Sequence, residues 1–334
     1  MVEDLYPGSY RIGVVLPGNP LRELNSYFIK GSSRDLLIDT GFRRLACRGA
    51  LQAGLDELGS APARRDVLAT HLHSDHSGMA DLFAGPDCRI YMGRTDLERM
   101  CSFLSDPDQT PAHRHPRYPV EGFPMDLLEE MHRTNPAMTE SMPGADPRLT
   151  PLDDGDILQV GDYALETIFV SGHTPGNCMF YIRDRKIMFT GDHILFDITP
   201  NITCWDSCPD SLGSYLDNLR RARSYEVELA LPGHRQTGDY YSRIDTLLAH
   251  HEKRLSEALS IIREYPGRCA YEIAGLMKWK IRARDWDSFP VIQKWFAVGE
   301  CIAHLDYHRR RGRIRFEERD GVRYYYATSP GASI

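Results

Sequence analysis

The chain has 334 residues, of which 42% are hydrophobic and 26% charged, and its formal net charge is −7. This composition is typical of a globular protein with one large and one small domain, or with two of middling size. No window approaches the roughly 18 uninterrupted apolar residues of a membrane span, and no secretory signal is visible. For this reason we expect no membrane partner. The eight cysteines are scattered, so we expect free thiols in a reducing cytoplasm.

The N-terminal part predicts a sheet of short neighbouring strands followed by a helix. Apolar runs between Gly- and Pro-rich loops predict strands over residues 10–15, 26–29 and 35–39. Residues 42–58 then show helical spacing. The positions that we expect to be buried in this helix are four leucines, Leu45, Leu51, Leu55 and Leu58.

The next predicted strand ends in a cluster of potential metal ligands. The run Asp66-Val67-Leu68-Ala69 is followed by Thr70-His71-Leu72-His73-Ser74-Asp75-His76. Imidazole nitrogens and carboxylate oxygens bind zinc and similar divalent ions. Alternation along an extended segment puts the first two histidines on one side, which suits them to one metal. Asp75 and His76 can turn towards a second metal about 3.5–4 Å away.

Residues 104–150 interrupt the regular pattern. They are rich in proline and contain one clear helical piece, Met125–Arg133. A stretch of this length with so little pattern, in the middle of a domain, is typical of a lid or a binding loop. We therefore interpret residues 104–150 as a lid-like insert.

Three later apolar strands each end in a turn that carries His or Asp. These turns are Gly172-His173-Thr174-Pro175-Gly176, Thr190-Gly191-Asp192-His193 and Leu231-Pro232-Gly233-His234. Strand ends that converge on one rim can assemble a site from distant parts of a sequence, so we expect His173, Asp192 and His234 to join the first cluster. His193 is a candidate proton relay, with a structural role beside a buried carboxylate as the alternative.

The loop after His193 is predicted to form part of a substrate pocket. It directly follows Asp192, so its first residues must lie near the site. The loop mixes apolar bulk with few formal charges, as expected of a wall facing a small, partly apolar group. The candidate pocket residues are Phe196, Asn201 and Trp205.

The C-terminal part has a different pattern and a different charge. Helical spacing predicts three helices and then a hairpin whose turn is Arg319-Asp320-Gly321. Residues 251–334 have a charge balance of +5, whereas residues 1–250 have a balance of −12. Three helices and a hairpin are the outline of a winged-helix module. We therefore expect a catalytic domain over residues 1–240 and a winged-helix-like domain over residues 241–334.

The complete motif set resembles the metallo-β-lactamase superfamily of binuclear metallohydrolases over about residues 8–240. The four His/Asp motifs occur in the family's order, and Leu37-Ile38-Asp39-Thr40-Gly41 matches its early strand–turn motif. The resemblance implies an α/β fold, an αββα sandwich of two mixed sheets between helices. It also implies one metal on His71, His73 and His173, a second on Asp75, His76 and His234, and Asp192 as the bridge. Asp39 is interpreted as a supporting residue without substrate contact.

The resemblance implies two divalent ions per chain, and we favour zinc, with iron or manganese as alternatives. Two close cations lower the pKa of a shared water and polarise a carbonyl or phosphoryl oxygen, so the expected nucleophile is a metal-bridging hydroxide. Asp75 is the catalytic candidate for orienting it or protonating the leaving group. His73 stands where the diiron branch has glutamate, which disfavours redox chemistry. No tyrosine follows Asp192 as it does in the acyl-homoserine-lactone hydrolases.

Three functions from different classes fit these features. The favoured one is a hydrolase of a small acyl compound, a thioester, ester or lactone, as in the glyoxalase-II-like branch. The second is a metal-dependent endoribonuclease or phosphodiesterase, for which the loop after Asp192 lacks the basic residues that phosphate binding requires. The third is a nucleic-acid-binding regulatory protein with a vestigial metal site, which the complete ligand set disfavours. Homo-oligomerisation is left open, and basic residues could reach a nucleic acid from Lys278, Lys280, Arg282 and Arg284.

Overall fold

The structure is a computed structural model that describes residues 1–105, 111–136, 140, 146–280 and 283–328. Its larger sheet has seven strands that follow one another in sequence order. Strands β1 to β4 pair antiparallel, and β4 to β7 pair parallel. The strands are β1 Val2–Tyr6, β2 Ser9–Val15, β3 Glu23–Ile29, β4 Asp35–Ile38, β5 Arg65–Ala69, β6 Ile90–Gly93 and β7 Leu149–Leu152.

The second sheet has five strands in the order β12-β11-β10-β9-β8. Its β11–β12 pair is parallel and the other pairs are antiparallel, so both sheets are mixed. The strands are β8 Ile157–Val160, β9 Tyr163–Phe169, β10 Cys178–Ile182, β11 Ile187–Gly191 and β12 Leu229–Pro232. A separate hairpin pairs β13, Ile314–Arg319, with β14, Val322–Ala327.

The helices of the described chain vary from single turns to more than six turns in length. They are α1 Leu45–Glu57, α2 Ser74–Ser77, α3 Ala80–Phe83, α4 Arg94–Ser105, α5 Pro111–Arg114, α6 Arg117–Val120, α7 Met125–Thr134, α8 Ser211–Ala222, α9 Tyr240–Glu264, α10 Ala270–Leu276 and α11 Val291–Arg310. None of the helices among the described residues is long and apolar enough to cross a membrane.

The chain divides into two compact units. The first contains residues 1–107, 136–200 and 219–244, and the second contains residues 108–135, 201–218 and 245–334. Part of the predicted insert and the segment 201–218 thus belong to the unit that also holds the C-terminal residues. The predicted domains, 1–240 and 241–334, were drawn along the sequence and stay a prediction.

Alternation along the strands of the first unit builds two apolar layers. Leu36 and Ile38 of β4 belong to a cluster that joins residues of both sheets, whereas Leu37 belongs to a cluster shared with α1 and α3. In the neighbouring β5, Leu68 lies in the inter-sheet cluster and Val67 on the helix side. Successive side chains of a strand point to opposite faces, so such strands are buried on both sides.

The second unit has its own apolar core. Tyr118 and Phe123, from the segment predicted as a lid, pack with Ile273 of α10 and Ile302 of α11. The ring of Tyr118 stacks on Trp295 at a centroid distance of 5.4 Å. The predicted order of three helices and a hairpin is present in α9, α10, α11 and β13–β14. The winged-helix assignment itself stays a prediction.

The structure corrects three local predictions. Leu45 is 88% exposed because it begins α1 on the solvent side, and Leu58 lies just past the helix end and is half-buried. The buried face of α1 is formed by Cys47, Leu51 and Leu55, at the spacing of successive turns. The insert contains α5 and α6 besides the predicted helix, because proline in the first turn of a helix starts it rather than breaking it. Strands β1 and β7 were not predicted.

Candidate metal centre

The segment between β5 and α3 brings four of the predicted ligands to one place. Strand β5 ends at Ala69, and the chain then leaves the sheet and makes the single turn α2. His71 and His76 are fully buried, and His73 and Asp75 are partly exposed. The segment thus combines buried imidazole rings with two side chains that solvent can reach, and a site that binds a reactant needs such access.

One group of nitrogens comes from His71, His73 and His173. The Nε2 atom of His71 lies 3.0 Å from Nδ1 of His73, and Nε2 of His173 lies 3.1 Å from the same Nδ1 atom. The three atoms lie within 4.8 Å of one another, so one cation could contact all of them. His173 reaches this place from the turn between β9 and β10 of the other sheet.

A second group is formed by Asp75, His76 and His234. The Nε2 atoms of the two imidazoles are 3.2 Å apart, and Oδ2 of Asp75 lies 3.4 Å from Nε2 of His234. Asp192, at the end of β11, lies beside both groups. Its Oδ2 atom is 3.6 Å from Nε2 of His234 and 3.9 Å from Nε2 of His173. This is the position that a bridging carboxylate would take.

Asp39, which directly follows β4, contacts Thr70 and His76 of the cluster. Its carboxylate accepts hydrogen bonds from the backbone N–H and the hydroxyl of Thr70, at 2.8 and 2.9 Å, and its Oδ2 atom lies 2.7 Å from Nδ1 of His76. Asp39 is buried and adopts a left-handed backbone conformation, with φ of 60°. His234 is held from the other side, because its Nδ1 atom lies 2.9 Å from the carbonyl oxygen of Glu23. Such partners fix the tautomer and orientation of a metal-binding ring.

Asp96 is a buried carboxylate beside the cluster that was not predicted. It lies in the first turn of α4, fully buried, and its carboxylate accepts hydrogen bonds from the N–H groups of Leu72 and Gly176 and from the hydroxyl of Thr174. An acidic residue in a first helical turn is usually interpreted as a partner of the helix dipole. The only sequence signal was therefore ambiguous.

The electrostatics of the cluster suit cations. Burial and the neighbouring His173 lower the pKa of His73 to about 3, so this ring is neutral at pH 7, the form that binds a metal. Burial alone would raise the pKa of Asp75, but His76 and His234 lower it to about 2. Burial opposes the charge of His76, yet Asp39 and Asp192 raise its pKa. A bound cation would take the place of that proton, so metal binding would release protons.

Two further observations test whether these residues fit a metal. The Oδ1 atom of Asp192 is buried and, within the described residues, accepts no hydrogen bond of normal geometry, although Nε2 of His76 lies 3.5 Å away as an ion-pair partner. A buried carboxylate oxygen without a hydrogen bond needs a nearby cation, which can be this imidazolium or a metal ion in its place. Gly233 also leaves room at this point, because a β-carbon there would lie 2.6 Å from that oxygen and 2.8 Å from Cε1 of His76. The residues therefore fit divalent metal ions.

The comparison with known families agrees with this geometry. The sequence model of the metallo-β-lactamase superfamily matches residues 20–234, which include all seven predicted ligands. The chain belongs to the metallo-β-lactamase superfamily. The predicted α/β fold, with two mixed sheets and flanking helices, is thereby confirmed, and the chain is a hydrolase of this superfamily.

The relatives found by sequence include named thioesterases. The chain is 28% identical to the human acyl-coenzyme A thioesterase MBLAC2 over 235 residues, which are 64% of this chain and 73% of that protein. It is 25% identical to the atrochrysone carboxyl ACP thioesterase nsrC of Aspergillus novofumigatus over 265 residues, 79% of this chain. The chain spans 65% of the length of this fungal relative.

Two solved structures resemble almost the whole chain. A metallo-β-lactamase family protein from Thermus thermophilus has a TM-score of 0.82 and 26% identity, covering 97% of this chain and 100% of that one. A β-lactamase domain protein from Burkholderia ambifaria has a TM-score of 0.83 and 25% identity, covering 98% and 94%. The resemblance therefore extends beyond residue 234 into the C-terminal residues.

The remaining predicted site residues are His193, Phe196, Asn201 and Trp205. His193 is fully buried and its backbone N–H donates to the carbonyl oxygen of Thr190 at 3.0 Å. Its role as a proton relay stays a prediction. Phe196 belongs to the first unit, where it packs against Gly238. Asn201 and Trp205 belong to the second unit. Their assignment to a substrate pocket stays a prediction, and Arg282 lies outside the described residues.

Proposed function

We propose that this chain is a two-metal hydrolase of an acyl thioester. The observation that carries the proposal is the arrangement of two ligand groups, each with three side chains, on either side of one carboxylate, Asp192. A mononuclear site would need only one of these groups. Histidine-rich sets with carboxylate oxygens favour zinc, and iron and manganese are the alternatives.

The residues that we propose would hold the ions are the two ligand groups described above, with the carboxylate beside them. His71, His73 and His173 would hold one, and Asp75, His76 and His234 the other, with Asp192 shared. When bound, such ions activate water for attack at neutral pH and polarise the oxygen of the scissile carbonyl. The ionised Asp192 also offsets the repulsion between two nearby cations.

The chain's own contribution to the reaction comes from Asp75. Its lowered pKa keeps it ionised at neutral pH, so it can accept a hydrogen bond from the attacking water and hold it towards the carbonyl carbon. Attack forms a carbon–oxygen bond, and the carbon–sulfur bond then breaks. The water supplies one oxygen and one hydrogen to the acid and one proton to the departing thiolate. Thiols ionise near pH 8.5, so the leaving group needs little help from an acid.

A thioester is preferred to the other acyl substrates because of the relatives. The human and fungal proteins named above are both called thioesterases, one for acyl-coenzyme A and one for an acyl carrier protein. The feature common to both names is an acyl group on a thiol. Nuclease activity, considered from the sequence, has no comparable support. The loop after Asp192 contains no Lys or Arg over residues 193–219.

A substrate panel tests the proposal directly. Purified protein loaded with zinc, and separately with manganese or iron, would be assayed on acyl-coenzyme A thioesters, matching oxygen esters, a lactone and RNA, over a series of salt concentrations. We expect thiol release from the thioesters, lost in the His173→Ala variant and after removal of metal with a chelator.

Two results would contradict the proposal. Salt-sensitive RNA cleavage without thioester turnover would favour a nuclease, because phosphate binding depends on charge neutralisation. Thioester turnover that survives both chelation and the His173→Ala change would show that the metal centre is not the catalyst. Metal analysis of the same preparations checks the predicted two ions per chain.

A further inference from the structure

One buried carboxylate connects the two loops that supply the His71, His73 and His173 group. Asp96 accepts a hydrogen bond from the N–H of Leu72 at 2.9 Å through Oδ2. The same oxygen accepts the hydroxyl of Thr174 at 2.6 Å, and Oδ1 accepts the N–H of Gly176 at 2.6 Å. Asp96 itself is fully buried. Three donors from two separate loops therefore end on a single side chain.

The three donors belong to the same short segments as the three histidines of this ligand group. Leu72 lies between His71 and His73, and its N–H therefore fixes the short segment that carries both rings. Thr174 directly follows His173 in a turn of the other sheet. If the carboxylate were lost, the two loops could move independently, and the spacing of 3.0–3.1 Å between the ligand nitrogens would no longer be enforced.

Two glycines allow the start of α4 to lie close to the turn that carries His173. A β-carbon on Gly176 would lie 2.3 Å from the backbone nitrogen of Asp96, and one on Gly93 would lie 2.2 Å from the carbonyl oxygen of Gly176. Both contacts are with backbone atoms, which cannot move aside as a flexible side chain can. Glycine is therefore required at both positions for the start of α4 to reach the turn that carries His173.

The other ligand group has different supports. Nδ1 of His76 faces the carboxylate of Asp39, and Nδ1 of His234 faces the carbonyl oxygen of Glu23. The three hydrogen bonds described above for the Asp96 carboxylate involve neither of these rings. A change at Asp96 should thus act on one ligand group more than on the other.

We propose that Asp96 is a positioning residue that sets the metal affinity of the His71, His73 and His173 group selectively. The inference rests on the proposed two-metal centre. Asp96 does not contact substrate in this scheme; it acts through the loops that it joins. Partners of this kind typically change metal affinity by about 10–100-fold.

The test is a metal titration of the Asp96→Asn variant. Asparagine keeps the shape but turns an N–H₂ group towards one of the three donors. Equilibrium dialysis against zinc, with a competing chelator, should show one of two ions weakened by about 10–100-fold and the other unchanged. With cobalt in place of zinc, the ion that remains should have the same absorption spectrum as the ion that remains in His173→Ala.

Asp66→Asn is the matched control. Asp66 is also a buried carboxylate that accepts a backbone N–H, that of Arg89 at 2.7 Å, and it lies in β5 at the opposite end from His71. We expect this variant to bind both ions as the wild type does. Thr174→Val removes one donor from Asp96 and should weaken the same ion as Asp96→Asn, by a smaller factor, even if the latter folds poorly.

The outcomes separate this inference from the function on which it rests. Wild-type protein that binds fewer than two ions would sink the two-metal centre. If the wild type binds two, equal weakening of both ions in Asp96→Asn, or no weakening in Asp96→Asn and Thr174→Val, would overturn the positioning role. A merely structural role would lower the midpoint of thermal unfolding without changing the ratio of the two affinities.

Discussion

Replacing Gly233 by alanine should damage the metal centre while leaving the fold intact. The new β-carbon would lie 2.6 Å from Oδ1 of Asp192, whereas ordinary contact begins at 3.4 Å. The oxygen must therefore move away by about 0.8 Å, and rotation of the Asp192 side chain allows this movement. Gly233 is not among the glycines with positive φ, so its backbone accepts alanine without strain.

The size of the effect follows from the tolerance of metal sites. Distances between a metal and its ligands vary by only about 0.2 Å, so the displacement of the Asp192 oxygen is roughly four times this tolerance. A misplacement of about 1 Å in an active site can cost about 100-fold in rate. We therefore expect kcat/KM on the best thioester to fall by about 100-fold, and both ions to be retained less well after dialysis.

Gly49→Ala is the control for this substitution. Gly49 lies on the exposed side of α1, and nothing is within 4 Å of the β-carbon that alanine would add. Activity and metal content should not change, and the free energy of unfolding should rise by about 0.5–1 kcal/mol. The reasoning would be refuted if Gly233→Ala bound two ions and turned over substrate like the wild type.

Three further predictions concern single residues. Asp192→Ala should abolish turnover and weaken both ions, measured by metal analysis after dialysis; full metal content would contradict the bridge. His234→Ala should weaken mainly one ion, seen as a single loss in a zinc titration, whereas loss of both would contradict the division into two groups. Burial lowers the pKa of His304 from 6.5 to about 3. The folded state thus binds fewer protons than the unfolded state, so the free energy of unfolding should fall by up to about 1.4 kcal/mol per pH unit from pH 6.5 towards 3. Urea unfolding at several pH values should show a shallower fall in His304→Gln; an unchanged slope would contradict this.

The ligands could be predicted because their signal is local in sequence. His71, His73, Asp75 and His76 lie within six positions after an apolar run, and a strand end is a place where a sheet releases side chains to an edge. The later turns carry glycine or proline beside the ligand, and these residues mark the turns that follow strands. The pairing of His173 with the first group, in contrast, came from the resemblance to a family.

Features that depend on distant contacts could not be predicted in this way. The assignment of residues 108–135 and 201–218 to the second unit depends on which apolar faces meet, and local spacing does not encode that choice. The helix α1 is an example on a smaller scale. Leu45 fits the composition of a buried face, but the helix begins at that residue and turns it to solvent. Boundaries and phase decide burial, and both depend on the tertiary structure.

The two buried carboxylates that support the ligands show the same division. Asp39 stands in a recognisable strand–turn motif, so a supporting role could be predicted, and it does hold Thr70 and His76. Asp96 stands in the first turn of an ordinary helix, and its contacts appear only in the folded chain, where Leu72 and Gly176 approach it from loops of two sheets. A residue whose partners are mainly backbone groups leaves little complementary side-chain signal in the sequence to reveal it. A residue proposed to orient a metal centre can therefore lack any signal in the sequence and be found only from the contacts in a structure.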